Sequence, residues 1–186
     1  MSRASLPLLF LALLTAAGCG TGQPAARPAE FGPAKLRIHP TFTAAKDWTG
    51  DGKPDGIEAV VEILDSYGEP TRGSGTLIFE LWTFRKYDPD PLGNRVEEQP
   101  WRATLLTREE QAERWSPALR AYTFQLASAK VNPGKQYVLT ASFETAGGAD
   151  QPGGTRLFDR LILEPPAEKK LPGDAVKRAN QGKGNR

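Results

Sequence analysis

Alternating apolar side chains are the feature that most narrows the folds open to this sequence. In residues 57–64 every second side chain is apolar, and glutamates occupy two of the positions between them. Successive side chains of a strand point to opposite faces of a sheet, so this pattern predicts a half-buried β-strand. The apolar set is Ile57, Ala59, Val61 and Ile63, and the glutamates are Glu58 and Glu62.

The same signal recurs along the chain, each time bounded by Gly, Pro, Asn or Asp. About seven strands are predicted, over residues 35–42, 57–64, 76–86, 101–106, 120–127, 136–143 and 156–163. Residues 65–75 contain turn formers, among them Gly68, Pro70 and Gly73. We therefore expect the second and third of these strands to be antiparallel neighbours in one sheet.

One segment departs from the strand pattern. Thr107 and Glu110 have the spacing of a helix capping box, and residues 109–115 are good helix formers that end before Ser116 and Pro117. One short helix is predicted there. Seven short strands with a single helical connection favour an all-β fold, an antiparallel β-sandwich of immunoglobulin-like or C2-like architecture.

The N-terminal segment has the three parts of a secretory signal. Arg3 supplies the cation, residues 6–14 form a short apolar run, and small residues follow it. The run is too short to span a bilayer as a helix. Residues 1–18 are therefore predicted to be an export signal that is removed.

Residues 16–19 (AAGC) resemble the lipobox of bacterial lipoproteins, although Ala16 stands where leucine is usual. In that family the cysteine is acylated and becomes the mature N-terminus, and two or more chains anchor a protein stably. Cys19 is the only cysteine in the chain, so no disulfide can form within it. The resemblance implies a covalent lipid on Cys19, and the alternative is an ordinary signal peptide that ends near a cysteine.

Segments of low complexity flank the predicted domain of residues 35–165. Residues 19–34 are rich in Gly, Pro and Ala, which predicts a flexible tether. Residues 166–186 carry a net charge of +4, against +2 for the whole chain, so the domain itself is acidic. A basic tail of this kind is expected to be solvated and disordered, although it could also dock on anionic lipid or polysaccharide.

Few residues offer catalytic chemistry. His39 is the only histidine, and the sequence contains no nucleophile elbow, Walker loop or zinc-protease motif. We therefore expect no enzyme activity. The tail lacks interleaved aromatic residues and the protein is predicted to be exported, so nucleic acid is not an expected partner.

The most specific internal motif lies in residues 47–58 (DWTGDGKPDGIE). An EF-hand-type calcium loop has oxygen ligands at positions 1, 3, 5, 9 and 12 and a glycine at position 6. Gly52 stands at position 6, and the predicted ligands are Asp47, Thr49, Asp51, Asp55 and Glu58. The stretch is similar to the calcium loops of dockerins, EF-hands and thrombospondin repeats, but Thr49 replaces an acidic residue and no flanking helix is predicted. The alternative is a turn whose side chains bond only local backbone groups.

A wider stretch, residues 51–80, also looks like a segment of uncharacterised bacterial lipoproteins that couple such a loop to a β-domain. The resemblance covers about a sixth of the chain and implies no activity.

Both faces of the strand around residues 77–84 are apolar. Leu77, Phe79 and Leu81 are expected to fill the core, which leaves Ile78, Trp82 and Phe84 on the opposite face. We expect the helix near Trp115 to cover that face and Trp82 to be buried. If the face is open, Trp82 and Phe84 with nearby Tyr87 would suit sugar rings or a partner protein.

Two functions fit these features. The first is a non-catalytic envelope lipoprotein, anchored to the cell membrane or outer membrane, whose domain is a binding or structural module for another envelope protein or assembly component. The second is a carbohydrate-binding module tethered at the membrane. An aromatic row on an exposed face would favour the second function, and Trp115 packed over a buried Trp82 would favour the first.

Overall fold

The fold is an antiparallel β-sandwich of two sheets, seen in a computed structural model that describes residues 31–146 and 154–165. Its elements are β1 (Lys35–Ile38), β2 (Ala44–Lys46), β3 (Gly56–Leu64), β4 (Pro70–Thr71), β5 (Gly75–Phe84), β6 (Leu92–Arg95), β7 (Trp101–Thr104), α1 (Arg108–Arg114), β8 (Trp115–Ser116), β9 (Ala121–Ala127), β10 (Tyr137–Thr145) and β11 (Arg156–Leu163). The predicted fold class is confirmed. All seven predicted strands are present, and the additional ones, β2, β4, β6 and β8, have two to four residues each.

The first sheet has the order β1-β3-β9-β8, and β2 and β4 also pair with β3. The second sheet has the order β11-β10-β5-β6, and β7 also pairs with β5. Every pairing is antiparallel. β3 and β5 are therefore the strands around which the two sheets are organised.

The expected pairing of β3 with β5 is wrong, because the chain changes sheets between them. Asp65 accepts the N–H groups of Tyr67 and Glu69, both at 2.9 Å, and this tight turn returns β4 to the edge of β3. The chain then crosses to the second sheet at Gly73. A Cβ atom there would lie 2.7 Å from Pro33 Cγ and 3.1 Å from the Phe143 ring, so the crossing needs glycine.

The core lies between the inner faces of the two sheets. The inward residues predicted for β3 and β5 are all fully buried, and Phe79 meets Phe124 across the core with ring centroids 5.1 Å apart. Apolar burial of this extent is the main driving force for the fold. The core residues are Leu36, Ile38, Ile57, Ala59, Val61, Ile63, Leu77, Phe79, Leu81, Leu105, Tyr122, Phe124, Leu126, Val131, Tyr137, Leu139, Ala141, Phe143, Leu157 and Leu163.

The predicted helix forms with its predicted cap. The Thr107 hydroxyl accepts the N–H of Glu110 at 3.2 Å, and the Glu110 carboxylate accepts the N–H of Thr107 at 3.0 Å. The helix packs against β9 of the first sheet, where the Arg114 guanidinium lies over Phe124. It therefore does not cover Trp82, which belongs to the second sheet.

The two ends of the sandwich carry different segments. Lys35, where β1 begins, pairs with Leu64, so the chain enters at the end that holds the Asp65 turn. Leu163 pairs with Tyr137 at the opposite end, where Tyr137 Oη accepts the N–H of Asn132. We call these the entry end and the far end. Residues 47–55 lie at the far end, because Asp55 O accepts the N–H of Ser128, next to the end of β9.

Candidate functional site

The loop of residues 47–55 is held by its own carboxylates. Asp47 accepts the N–H of Gly50 at 2.5 Å and of Gly52 at 2.8 Å. These bonds, that of Gly52 first, hold the pKa of Asp47 below its ordinary value. Gly52 has a φ angle of +89°, a backbone conformation that residues other than glycine rarely adopt.

Asp55 closes the same loop from its other end. Its Oδ2 accepts the N–H groups of Trp48 at 2.6 Å and Thr49 at 2.9 Å. The Thr49 hydroxyl lies 3.4 Å from Asp47 Oδ1 and 3.1 Å from Asp55 Oδ2, so it links the two carboxylates. Three of the five predicted calcium ligands are thus brought together.

The other two predicted ligands face different partners. Asp51 accepts the N–H of Lys53 at 2.8 Å, and Glu58, on β3, is paired with Lys46 at 3.4 Å. Within residues 31–146 and 154–165, no group of three or more His, Cys, Asp or Glu side chains is arranged to hold a metal ion. In this structure the segment is a turn whose side chains bond mostly local backbone groups.

The loop forms one wall of an open cleft at the far end. Residues 97–101, which lead into β7, and residues 127–133, which follow β9, form the other walls. The Trp101 indole N–H donates to Ala127 O at 3.2 Å and joins the second sheet to the first. Trp101 therefore closes the end of the core beneath the cleft.

Glu97 is a further carboxylate of the cleft, and its partners lie on a separate loop. It accepts the Ser128 hydroxyl at 2.6 Å and the Lys130 ammonium at 3.1 Å. The Ser128 bond, and then Lys130, keep the pKa of Glu97 below its ordinary value. Sequence reasoning missed this group because its partners lie more than thirty positions away along the chain.

The outer face of the second sheet carries Trp82, which is half-buried rather than buried as expected. Its indole N–H donates to the Thr140 hydroxyl at 3.4 Å, and the Arg95 guanidinium stacks on its ring at 5.0 Å from the centroid. Arg95 is also ion-paired with Glu80. The cover expected from the helix is thus supplied by an arginine on β6.

Trp115 lies in the other sheet. Its ring meets Tyr122 edge-on at 5.0 Å, and Arg72 stacks on it at 4.7 Å. Phe84, the last residue of β5, is half-buried, and Tyr87, at 92% exposure, lies in the turn beyond the strand. Trp82 and Phe84 thus share the outer face of β5, whereas Tyr87 lies outside the strand.

Other side chains extend the outer face of the second sheet. Ile162 and Trp82 flank Val138 in one cross-strand row, and Phe158 and Ile78 flank Ser142 in another. Phe158 and Ile162 are 58% and 43% exposed. This outer face is partly apolar and meets solvent along β11.

His39, the catalytic candidate considered above, is engaged locally. Its Nδ1 accepts the N–H of Thr41 at 3.3 Å, and its ring lies 4.5 Å from that of Phe42.

Several predicted features lie outside the described residues: Cys19, the export signal, most of the predicted tether, and the basic tail after Pro165. None of the helices described in the structure is long and apolar enough to cross a membrane.

Comparison with protein-family models, with curated proteins and with solved structures finds no match to this chain.

Proposed function

We propose that the protein is an exported lipoprotein of the bacterial cell envelope, held at the membrane by a lipid on Cys19, and that its sandwich is a non-catalytic binding module. The observation that carries the proposal is the solitary cysteine at the exit of a signal-like segment. A thiol used for acylation needs no partner cysteine, and a domain without a disulfide must be stable through its core alone. The extensive core described above meets that requirement.

The arrangement of the two ends supports a binding role at the surface. The chain enters beside Leu64, and the cleft lies at the far end beside Ala127. β3 has nine residues, which corresponds to about 30 Å. A lipid joined to the entry end would hold the cleft away from the membrane, where a partner in the envelope can reach it.

The local contacts of the polar groups support a role without catalysis. A carboxylate or imidazole that accepts backbone N–H groups of its own loop has a structural role there. The carboxylates of Asp47 and Asp55 already accept two backbone N–H groups each, and the Nδ1 of His39 accepts another. We propose that these groups shape loops and do not transfer protons.

The proposed anchor is tested by metabolic labelling with a fatty acid. Wild-type protein should take up the label and sediment with membranes, and Cys19→Ser should do neither. Ser5→Ala is the matched control, because it changes the signal segment without removing the thiol. Equal labelling of wild type and Cys19→Ser would contradict the proposal.

A second function, binding of envelope polysaccharide, is favoured by the outer face of the second sheet. Trp82 lies there beside Arg95, Glu80 and Thr140, so an aromatic ring and hydrogen-bonding groups are adjacent. Sugar rings stack on aromatic faces while polar groups take their hydroxyls. Here the ring is already covered by Arg95, so a sugar would have to displace the guanidinium.

Affinity capture separates the two functions. Polysaccharide binding should be lost in Trp82→Ala and retained in Phe158→Ala, a matched aromatic truncation on the same face. If polysaccharide binds neither wild type nor variants while an envelope protein is cross-linked through the far end, the first function is supported.

We also propose that residues 47–58 take up calcium weakly, which would require Glu58 to leave Lys46 and Asp51 to turn inward. With a neutral ligand at Thr49, the dissociation constant should be around 10⁻⁴–10⁻³ M. Calcium should then raise the melting temperature through binding to the folded state. Asp51→Ala should abolish this increase and Asp88→Ala, outside the loop, should not. A melting temperature that calcium leaves unchanged in all three proteins would contradict the proposal.

A further inference from the structure

Two aromatic side chains are exposed together at the entry end. Phe31 is 73% exposed and Tyr67 is 65% exposed, and their ring centroids lie 5.9 Å apart. Large exposed apolar side chains that cluster mark sites of interaction. We call Phe31 and Tyr67 the aromatic pair.

The backbone on both sides of the aromatic pair is fixed by hydrogen bonds. Tyr67 lies in the turn closed by Asp65, which accepts N–H groups from Tyr67 and Glu69, while Gly68 donates to Asp65 O at 3.1 Å. Phe31 O accepts the Thr71 hydroxyl at 3.2 Å. The rings thus extend into solvent from backbone that is already hydrogen-bonded, so this segment would lose little backbone entropy when the rings bind a partner.

Cationic side chains surround the aromatic pair. Lys35 pairs with Leu64 in register, next to the turn, and Arg120 donates to Pro70 O at 3.4 Å. Arg72 follows β4 directly. All three side chains are exposed; among the acidic residues, Glu69 lies 3.8 Å from Arg120, Asp65 is buried, and Glu30 directly precedes Phe31 in the sequence.

The position of Cys19 in the chain limits how far the aromatic pair can lie from a lipid on that residue. Twelve residue steps separate Cys19 from Phe31. Even fully extended, a chain of this length spans only about 40 Å. Phe31 is therefore the described residue that lies closest along the chain to the proposed anchor, and it cannot lie more than about 40 Å from a lipid on Cys19.

We infer that the entry end is a membrane-contacting surface, in which the aromatic pair enters the bilayer interface while Lys35, Arg72 and Arg120 meet anionic headgroups. The inference rests on the proposed lipid anchor and adds an orientation to it. The Tyr67 ring has one polar edge and favours the headgroup level of a bilayer, the Phe31 ring adds apolar surface that can be buried there, and cations near the surface add attraction to anionic lipid. The far-end cleft then faces away from the membrane.

The test uses the full lipidated chain on vesicles of equal parts phosphatidylcholine and phosphatidylglycerol. A fluorophore is attached to one new cysteine, in Ala34→Cys at the entry end or in Ala129→Cys at the far end. Both positions are exposed alanines, so the pair is matched. Access of aqueous iodide to the label is measured with and without vesicles.

Binding to vesicles should reduce quenching several-fold at position 34 and leave quenching at position 129 unchanged. Replacing the aromatic pair with serine in Phe31→Ser/Tyr67→Ser should restore quenching at position 34 while the protein still floats with the vesicles. Equal quenching at both positions in a floating wild-type protein would overturn the orientation and leave the anchor intact. A protein that fails to float would overturn the anchor itself.

Discussion

The two sheets share one core but differ on their outer faces. On the first sheet, Val60, Glu62 and Leu64 of β3 are buried although they point away from the core. The Thr43 hydroxyl donates a hydrogen bond to the carbonyl of Val60 and accepts one from its N–H, and Glu62 is ion-paired with Arg37. β1 and the chain that follows it therefore close this face with their own residues.

The outer face of the second sheet is closed only at its centre. Val138, Thr140 and Ser142 of β10 are buried beneath their neighbours, whereas Phe158 and Ile162 of β11 remain exposed. Side chains on adjacent strands cover the central strand. The edge strand β11 is contacted by β1, where Asp159 accepts the N–H of Ile38 at 2.7 Å, but its outward Phe158 and Ile162 stay exposed. Apolar residues on both faces of a strand therefore need no second layer of secondary structure to cover them.

The largest expected effect concerns the core that both sheets share. Phe79→Ala removes a fully buried ring that packs on Phe124, which should lower the free energy of unfolding by about 3–5 kcal/mol. Chemical denaturation of the full chain measures this loss. Phe158→Ala is the matched control, because its ring is exposed on the open face and should cost less than about 1 kcal/mol. Similar losses for the two variants would mean that the second sheet has no distinction between inner and outer face.

The next effect concerns Trp82, at the centre of the second sheet's outer face. Its ring is half-buried between Arg95 and Thr140, so Trp82→Ala should cost about 1–3 kcal/mol, less than a buried aromatic residue. Chemical denaturation of Trp82→Ala and Phe79→Ala under the same conditions measures the difference between their free energies of unfolding. A loss for Trp82→Ala as large as that for Phe79→Ala would show that the face is closed as firmly as the core.

A smaller effect distinguishes ion pairs on the two outer faces. The ion pair of Arg37 with Glu62 lies on the first sheet, and the Glu62 side chain is only 7% exposed. The ion pair of Arg95 with Glu80 lies on the second sheet, and both of its side chains are more than a quarter exposed. Double-mutant cycles to Ala should give a coupling of about 1 kcal/mol for the first pair and less for the second. The opposite order would contradict the view that the first sheet has the better-closed face. The Glu62 hydrogen bond also raises the pKa of Arg37, so this coupling should persist at neutral and alkaline pH.

Local patterns in the sequence were sufficient to predict most of the fold. Alternation identifies the inward residues of β3 and β5, and the spacing of Thr107 and Glu110 identifies the helix start. The change of sheet at Gly73 could not be predicted, because it depends on how closely Pro33 and Phe143 approach from distant parts of the chain. Short strands such as β4 are defined by their pairing with the edge of β3, which their own sequence does not specify.

The candidate site was predicted less completely for the same reason. The spacing of Asp47 and Asp55 indicated a structured loop, and both carboxylates accept hydrogen bonds from backbone N–H groups of that loop. The residues that complete the cleft, Glu97 and Lys130, belong to separate loops that tertiary folding brings together. Cover of Trp82 by Arg95 likewise depends on a register shift between β5 and β6 that no local pattern specifies.

The smallest expected effect is a dependence on pH at the helix, which lies on the side of the first sheet. The Thr104 hydroxyl at 2.5 Å, followed by the N–H groups of Thr107 and Leu106, keeps the pKa of Glu110 below its ordinary value. A carboxylate with a depressed pKa stabilises the fold above its unfolded pKa of about 4.3 and loses that contribution as the pH falls through the folded pKa. Glu110→Gln can still accept a capping hydrogen bond but cannot titrate.

The variant should therefore melt slightly lower than wild type at neutral pH, and its melting temperature should fall less steeply between about pH 5 and pH 3. Glu113→Gln, a solvent-facing change in the same helix, should keep the wild-type slope. Melting curves across this range decide the matter, because a slope unchanged by Glu110→Gln would place the acid sensitivity elsewhere. The depressed pKa values of Asp47 and Glu97 then direct the search to the far end, where Asp47→Asn and Glu97→Gln are the corresponding variants.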